Sequence, residues 1–271
     1  MGAAVRFWRE ALESWAIPER ILRAAPESPW GFPVELFADR ARSALDGLTP
    51  SNLRALLALG EGGAVLDVGC GAGAASLPLA ARASLLIGVD QSAEMLAAFR
   101  EGVERANASV RTIEGSWPEV ADESPVADVV VCHHVLYNAP DIEPFVRALT
   151  DHARGRVVVE ITARHPLSAD NDLWLRFHGI VRPTHPTADD AITVLKELGI
   201  EPYREDWQTP GTGGFGRRGD LVAWIRRRLC LPADRDPDVA EALRDRIVER
   251  GGRFGFGPRP VVTLWWKGTA G

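Results

Sequence analysis

Residues Ala64 to Ala80 read AVLDVGCGAGAASLPLA, and residues Leu85 to Leu96 read LLIGVDQSAEML. The apolar run Val65 to Val68 leads into glycines at alternate positions, Gly69, Gly71 and Gly73, after which Ala74 to Ala81 reads as a helix. Glycine tolerates the backbone angles that so tight a turn demands. A strand, a glycine turn and a helix N-terminus aim free backbone N–H groups at a crevice, so a nucleotide-bearing ligand is expected there. Asp90 closes the second apolar run, Leu85 to Val89, and stands 19 residues after Gly71. That spacing suits a carboxylate that accepts ribose hydroxyls.

The turn by itself leaves the nucleotide open, because GCGAGA also fits the GxGxxA fingerprint of dinucleotide-binding dehydrogenases. Asp67, two residues before Gly69, shifts the balance. A carboxylate at the strand end attracts a cationic amine and repels a pyrophosphate. With VLDVGCGAG, GVDQSAEML, EGSWPEV and VADVVVCHHVLYNAPD all in order, the chain resembles the class I S-adenosylmethionine-dependent methyltransferases. The resemblance runs from about Asn52 to Ile161 and is specific for cofactor class rather than substrate.

That resemblance implies a doubly wound α/β fold with a mostly parallel seven-stranded sheet, and methyl transfer from S-adenosylmethionine; the net charge of −6 makes a small molecule the default acceptor. It implies that Asp67 and the backbone at Gly69, Cys70 and Gly71 hold the methionine end of the cofactor and that Asp90 takes the ribose. Gln91, Met95, Gly115, Ser116 and Trp117 would surround the adenine, with the Trp117 indole lying over the purine. His133 falls where the strand end faces the methyl-bearing sulfonium. A sulfonium carries its own leaving group, so the protein has mainly to align the acceptor and exclude water. For a hydroxyl or protonated-amine acceptor, His133, His134 and Tyr137 are the candidate proton acceptors.

The residues around these motifs give the same architecture. Strands are expected over Val65 to Val68, Leu85 to Val89, Val110 to Glu114, Asp128 to Cys132 and Arg156 to Ile161, with helices over Ala93 to Arg105 and Ile142 to Ala153. Such continuous apolar strands indicate a parallel sheet covered on both faces. Further on, a helix over Ala188 to Leu198 precedes strands at Pro202 to Gln208 and Pro260 to Trp266. Between those strands, residues 209–258 read as a helical insertion, with helices over Asp220 to Leu229 and Pro237 to Glu249. Ahead of the core, residues 1–50 read as a helical cap: one helical pattern over Val5 to Ala25, the breaker-rich PESPWGFP, and a second helix over Val34 to Leu48. Residues 51–271 then form the cofactor-binding domain, opening with a helix over Asn52 to Leu59. Trp30 and Phe32 in the breaker segment suggest an aromatic wall closing over the acceptor, and the cap as a whole suggests a lid.

A formal net charge of −6 provides no global field for nucleic acid, and neither an NPPY-like tetrapeptide nor a Pro-Cys pair is present. Three cysteines, Cys70, Cys132 and Cys230, lack CxxC spacing, so neither a disulfide framework nor a zinc site is expected. His165, His178 and His185 with Asp170 and Asp172 match no metal template, and no metal is expected. The absence of an apolar run near 18 residues or of a signal-peptide pattern points to a cytoplasmic protein without a membrane anchor. Arg226, Arg227 and Arg228 read as a solvated helix face. Two rivals stay open: an NAD-dependent oxidoreductase, against which stand Asp67 and the absence of YxxxK spacing, and a non-catalytic S-adenosylmethionine-binding protein. The acceptor, the atom methylated and the oligomeric state stay open as well.

Overall fold

Side chains on a strand alternate between faces, so a strand flanked by helices on both sides is apolar at every position. Val65 and Leu66, both fully buried, show this: Leu66 packs in one core and Val65 in another on the opposite face. The computed structural model describes residues 2–30 and 34–270. In it, β1 (Gly63–Val68), β2 (Ala83–Asp90), β3 (Ser109–Glu114), β4 (Ala127–His133), β5 (Ala153–Thr162) and β6 (Tyr203–Gln208) join one sheet. Strands β7 (Thr212–Phe215), β8 (Ile247–Arg250) and β9 (Arg253–Phe256) form a separate small sheet, and β10 (Pro260–Lys267) completes the main one. The main sheet has seven strands in the order β3-β2-β1-β4-β5-β10-β6, with β10 antiparallel to both neighbours. The order reverses between β1 and β4, which opens a crevice at the carboxyl ends of those strands.

The helices are α1 (Ala3–Glu13), α2 (Glu19–Ala24), α3 (Val34–Ser43), α4 (Pro50–Leu56), α5 (Ala93–Arg105), α6 (Ile142–Asp151), α7 (Asn171–His178), α8 (Ala188–Glu197), α9 (Arg218–Arg228) and α10 (Asp236–Ala242). Residues of α4 and α5, among them Ala55, Phe99 and Val103, cover one face, whereas α1, α6 and α8 cover the other. A third apolar cluster, away from the sheet, joins Ile21, Leu173, Trp174, Ile225 and Val239 from α2, α7, α9 and α10. No described helix is long and apolar enough to cross a membrane.

Several expectations need correction. Ala74 to Ala81 is not an α-helix; only Leu77–Leu79 forms a single 3₁₀ turn. Pro78 lacks an N–H and would clash with the carbonyl four residues earlier, while the Ala75 carbonyl is taken by the Asn52 side chain at 3.0 Å. Pro18 likewise divides the first helical pattern into α1 and α2. The helix expected to run to Glu249 stops at Ala242, because Ile247–Arg250 pairs with Arg253–Phe256 across Gly251 and Gly252, both at positive φ (58° and 72°). A two-residue hairpin turn of this kind needs positive φ twice. The segment between β6 and β10 therefore carries a three-stranded sheet as well as its two helices.

The first helix is built into the core. Trp8 is fully buried and donates its indole N–H to the Ala139 carbonyl at 2.9 Å. The backbone N–H groups of Ala4 and Val5 donate to the Glu197 carboxylate at 3.0 and 3.1 Å, which ties α1 to α8. Trp30 is exposed, and Phe32 lies outside the described residues. The arginine cluster is not a solvated face either. Arg226 is buried and pairs with Glu27 at 2.8 Å and Asp236 at 3.1 Å, and Arg228 stands 3.6 Å from Asp170. Acidic residues on the neighbouring segments neutralise this end of α9.

Candidate functional site

The glycine turn owes its shape to β1 and β2 lying side by side. Gly69 and Cys70 donate their N–H groups to the Val89 carbonyl at 2.8 and 3.0 Å. Gly69 has φ 69°, and a Cβ there would come within 2.4 Å of Val135 Cγ2 on the segment after β4. Only glycine lets the two segments approach so closely. Asp90 braces the next step: one carboxylate oxygen accepts from Gly71 N–H at 2.9 Å, the other from Ser92 N–H at 3.0 Å. Each oxygen keeps a second lone pair for a ligand hydroxyl.

Asp67, at the carboxyl end of β1, is 1 % exposed. One oxygen accepts from the Ser76 hydroxyl at 2.6 Å, and the other, Oδ1, has no partner. Burial pushes this carboxyl up to about 7; the charge of Asp90 adds to the rise and the Ser76 bond opposes it. A buried carboxylate with a vacant oxygen is costly unless a donor or cation completes it. The thiols of Cys70 and Cys132 are pushed up by the same burial, so neither supplies a thiolate.

At the adjoining strand ends, Gly115 donates its N–H to the Asp90 carbonyl at 3.0 Å, which draws the turn after β3 towards β2. Ser116 follows it, half-buried, while Met95 sits half-buried and Gln91 exposed after β2. Trp117 departs from expectation. Its indole is buried in the core, donates to the Phe145 carbonyl at 3.2 Å and meets the His152 ring edge-on. With its N–H taken by α6 and its ring in the core, it does not lie over a purine.

The end of β4 brings His133 and His134 against Glu160 of β5. Glu160 Oε1 is 3.0 Å from His134 Nε2, and its Oε2 is 3.8 Å from His133 Nδ1. His134 also donates its backbone N–H to the Glu160 carbonyl at 2.6 Å and holds φ 61°, an uncommon conformation for a residue with a side chain. Burial lowers His133, keeping it neutral. Burial alone would raise Glu160, but the two histidines, with a smaller part from the Ser51 hydroxyl, hold it well below the usual carboxylate range. Tyr137 is removed from the proton-transfer candidates. Its hydroxyl donates to the Thr162 carbonyl at 2.8 Å inside the core, and burial pushes the phenol up.

Glu160 and Ser76 are the partners that sequence reasoning missed. Glu160 was visible as the single acid in the apolar run Val157 to Ile161, whereas nothing local marks Ser76. The scattered histidines are not gathered. His165 stacks on Trp15 at 4.0 Å, His178 Nε2 bonds the Leu229 carbonyl at 2.7 Å, and His185 Nδ1 lies 2.8 Å from Asp190. Among the described residues, no group of three or more acids, histidines or cysteines is placed to hold a metal ion.

Comparison with known proteins bears on the domain and the fold. A family model described as a methyltransferase domain matches residues 65–155. An uncharacterized protein of Haemophilus influenzae is 27 % identical over 210 residues, covering 75 % of this chain and 76 % of its own. The ubiquinone biosynthesis O-methyltransferase of Aeromonas salmonicida is 31 % identical over 110 residues, covering 38 % of this chain and 44 % of that enzyme. Among solved structures, the YcgJ protein from Bacillus subtilis shares the fold at TM-score 0.54 and 18 % identity, over 85 % of this chain and all of that one.

Proposed function

We propose that the chain, which belongs to the class I S-adenosylmethionine-dependent methyltransferases, seats its cofactor across the glycine turn and delivers the methyl group to a small-molecule acceptor. S-adenosylmethionine supplies an electrophilic methyl group with a thioether leaving group. One observation carries the seating: the unpartnered, buried Oδ1 of Asp67 beside the turn. The ammonium group of the methionine end is the partner it lacks, and a cation there draws the carboxyl back to its ionised form.

The remaining roles follow from position. Gly69, Cys70 and Gly71 border the methionine end, and the spare lone pairs of Asp90 accept the ribose hydroxyls. Gln91, Met95, Gly115 and Ser116 border the adenine. His133 and His134 stand at the strand end nearest the transferred methyl group. Because α1 belongs to the core, the lid falls to the segment around α3: the Phe37 ring lies 3.7 Å from where a Cβ on Gly71 would stand. The net charge of −6 and the neutralised arginine cluster favour a small acceptor over a nucleic acid.

The test is titration calorimetry with S-adenosylmethionine and S-adenosylhomocysteine against NAD. Micromolar binding of the first two, lost in Asp90→Ala, supports the reading. Preferential binding of NAD overturns it.

A further inference from the structure

We propose that Glu160 is a positioning residue that sets His134 as the proton acceptor of the methyl-transfer site. The inference rests on the reading above and adds a requirement: the acceptor carries a hydroxyl or amine proton that leaves during transfer. Three sequence candidates competed for this role, and the structure separates them. Tyr137 donates to a carbonyl in the core, and the His133 side chain is only 11 % exposed. The His134 side chain is 46 % exposed at the crevice end of β4.

Geometry then fixes the proton on His134. An ionised carboxylate only accepts, so Glu160 Oε1, 3.0 Å away, places the ring hydrogen on Nε2. That leaves Nδ1 with its lone pair and, among the described residues, no hydrogen-bond partner. The backbone bond from His134 N–H to the Glu160 carbonyl, together with the ring bond, holds the residue at its positive φ. Backbone strain retained by two bonds to one neighbour is a mark of a pre-organised group. The charged and polar groups facing the pair are His133 from β4, Ser51 from α4 and Arg259 ahead of β10, with Glu160 itself from β5.

The step balances without a further reactant. The acceptor's O–H or N–H proton passes to His134 Nδ1, and the freed electron pair forms the new bond to the methyl carbon. The carbon–sulfur bond breaks with its electrons staying on sulfur. The sulfonium charge disappears as the imidazolium charge appears, and Glu160 stabilises that imidazolium.

The experiment is imidazole long-range ¹H–¹⁵N spectroscopy of the full chain, with and without S-adenosylhomocysteine, His134 being assigned from a His134→Asn variant. The expected result is an Nε2–H tautomer for His134 in the wild type, which gives way to a mixture of the Nδ1–H and Nε2–H forms in Glu160→Ala. Glu160→Asp, which keeps an accepting carboxylate, should retain the Nε2–H form at least in part. An Nδ1–H tautomer in the wild type overturns the proposal and requires no variant to fold. So does an unchanged tautomer ratio in folded Glu160→Ala. Calorimetry on the same sample separates the two readings: binding with the wrong tautomer sinks only the role of Glu160, whereas no binding sinks the methyl-transfer reading and the base with it.

Discussion

Asp67 and Glu160 are both buried carboxyls at the carboxyl end of the sheet, on β1 and β5, yet they are driven in opposite directions. Asp67 faces a neutral hydroxyl and the like charge of Asp90, and burial lifts it to about 7. Glu160 faces two imidazoles and stays ionised. Burial is common to both, so the chemistry of the partner decides: a like-charged carboxylate near Asp67, two basic imidazoles beside Glu160. One carboxyl lacks its cation and is poised to receive it from a ligand; the other is already matched and serves to orient a side chain.

The largest expected effect comes from removing the charge that awaits a partner. Asp67→Asn should weaken S-adenosylhomocysteine binding by at least about a hundredfold, since the ligand's ammonium then loses its buried counter-charge. The same variant should be more stable than the wild type without ligand at pH 8. The sign follows from linkage: a carboxyl raised above its unfolded value costs folding stability as pH climbs from about 4 towards 7, and the amide carries no such cost. Thermal unfolding at pH 5 and pH 8 checks both halves; a less stable variant at pH 8 breaks the comparison.

Next in size is the pH dependence of affinity. Ligand binding to the ionised form should tighten about tenfold between pH 5 and 6 and level off above pH 7. Calorimetric titrations across that range measure it, and a flat profile contradicts the assignment. Ser76→Ala should raise Asp67 further and weaken binding at pH 7 by roughly fivefold, because the hydroxyl bond favours the charged form. The smallest effect sharpens the contrast: Glu160→Gln should leave S-adenosylhomocysteine affinity within about twofold. A large loss of affinity would mean that the two carboxyls share one task.

The two regions also differ in how far the sequence revealed them. Val65 to Val68, Leu85 to Val89 and Asp128 to Cys132 were legible because a strand buried on both faces is mainly apolar, with Asp67 and Asp128 as the exceptions, and the glycines because a turn at positive φ admits little else. Asp67 and Asp90 were legible through their spacing from those glycines. The β4–β5 side is assembled from residues remote in sequence, and no local pattern ties His134 to Glu160 or Trp117 to Phe145. Pro78 and the Gly251-Gly252 pair were local signals that outweighed helical periodicity. Arg226 looked solvated because its partners, Glu27 and Asp236, come from other segments.

The most direct test of the account is the proton count on ligand binding, taken from calorimetric titrations with S-adenosylmethionine at pH 6.5 in two buffers of different ionisation enthalpy. With Asp67 at about 7 in the free protein and ionised in the complex, roughly three quarters of a proton should be released per ligand bound, and none in Asp67→Asn. Binding without proton release in the wild type, or release that persists in Asp67→Asn, would contradict the claim that this buried carboxyl waits for the ligand's charge.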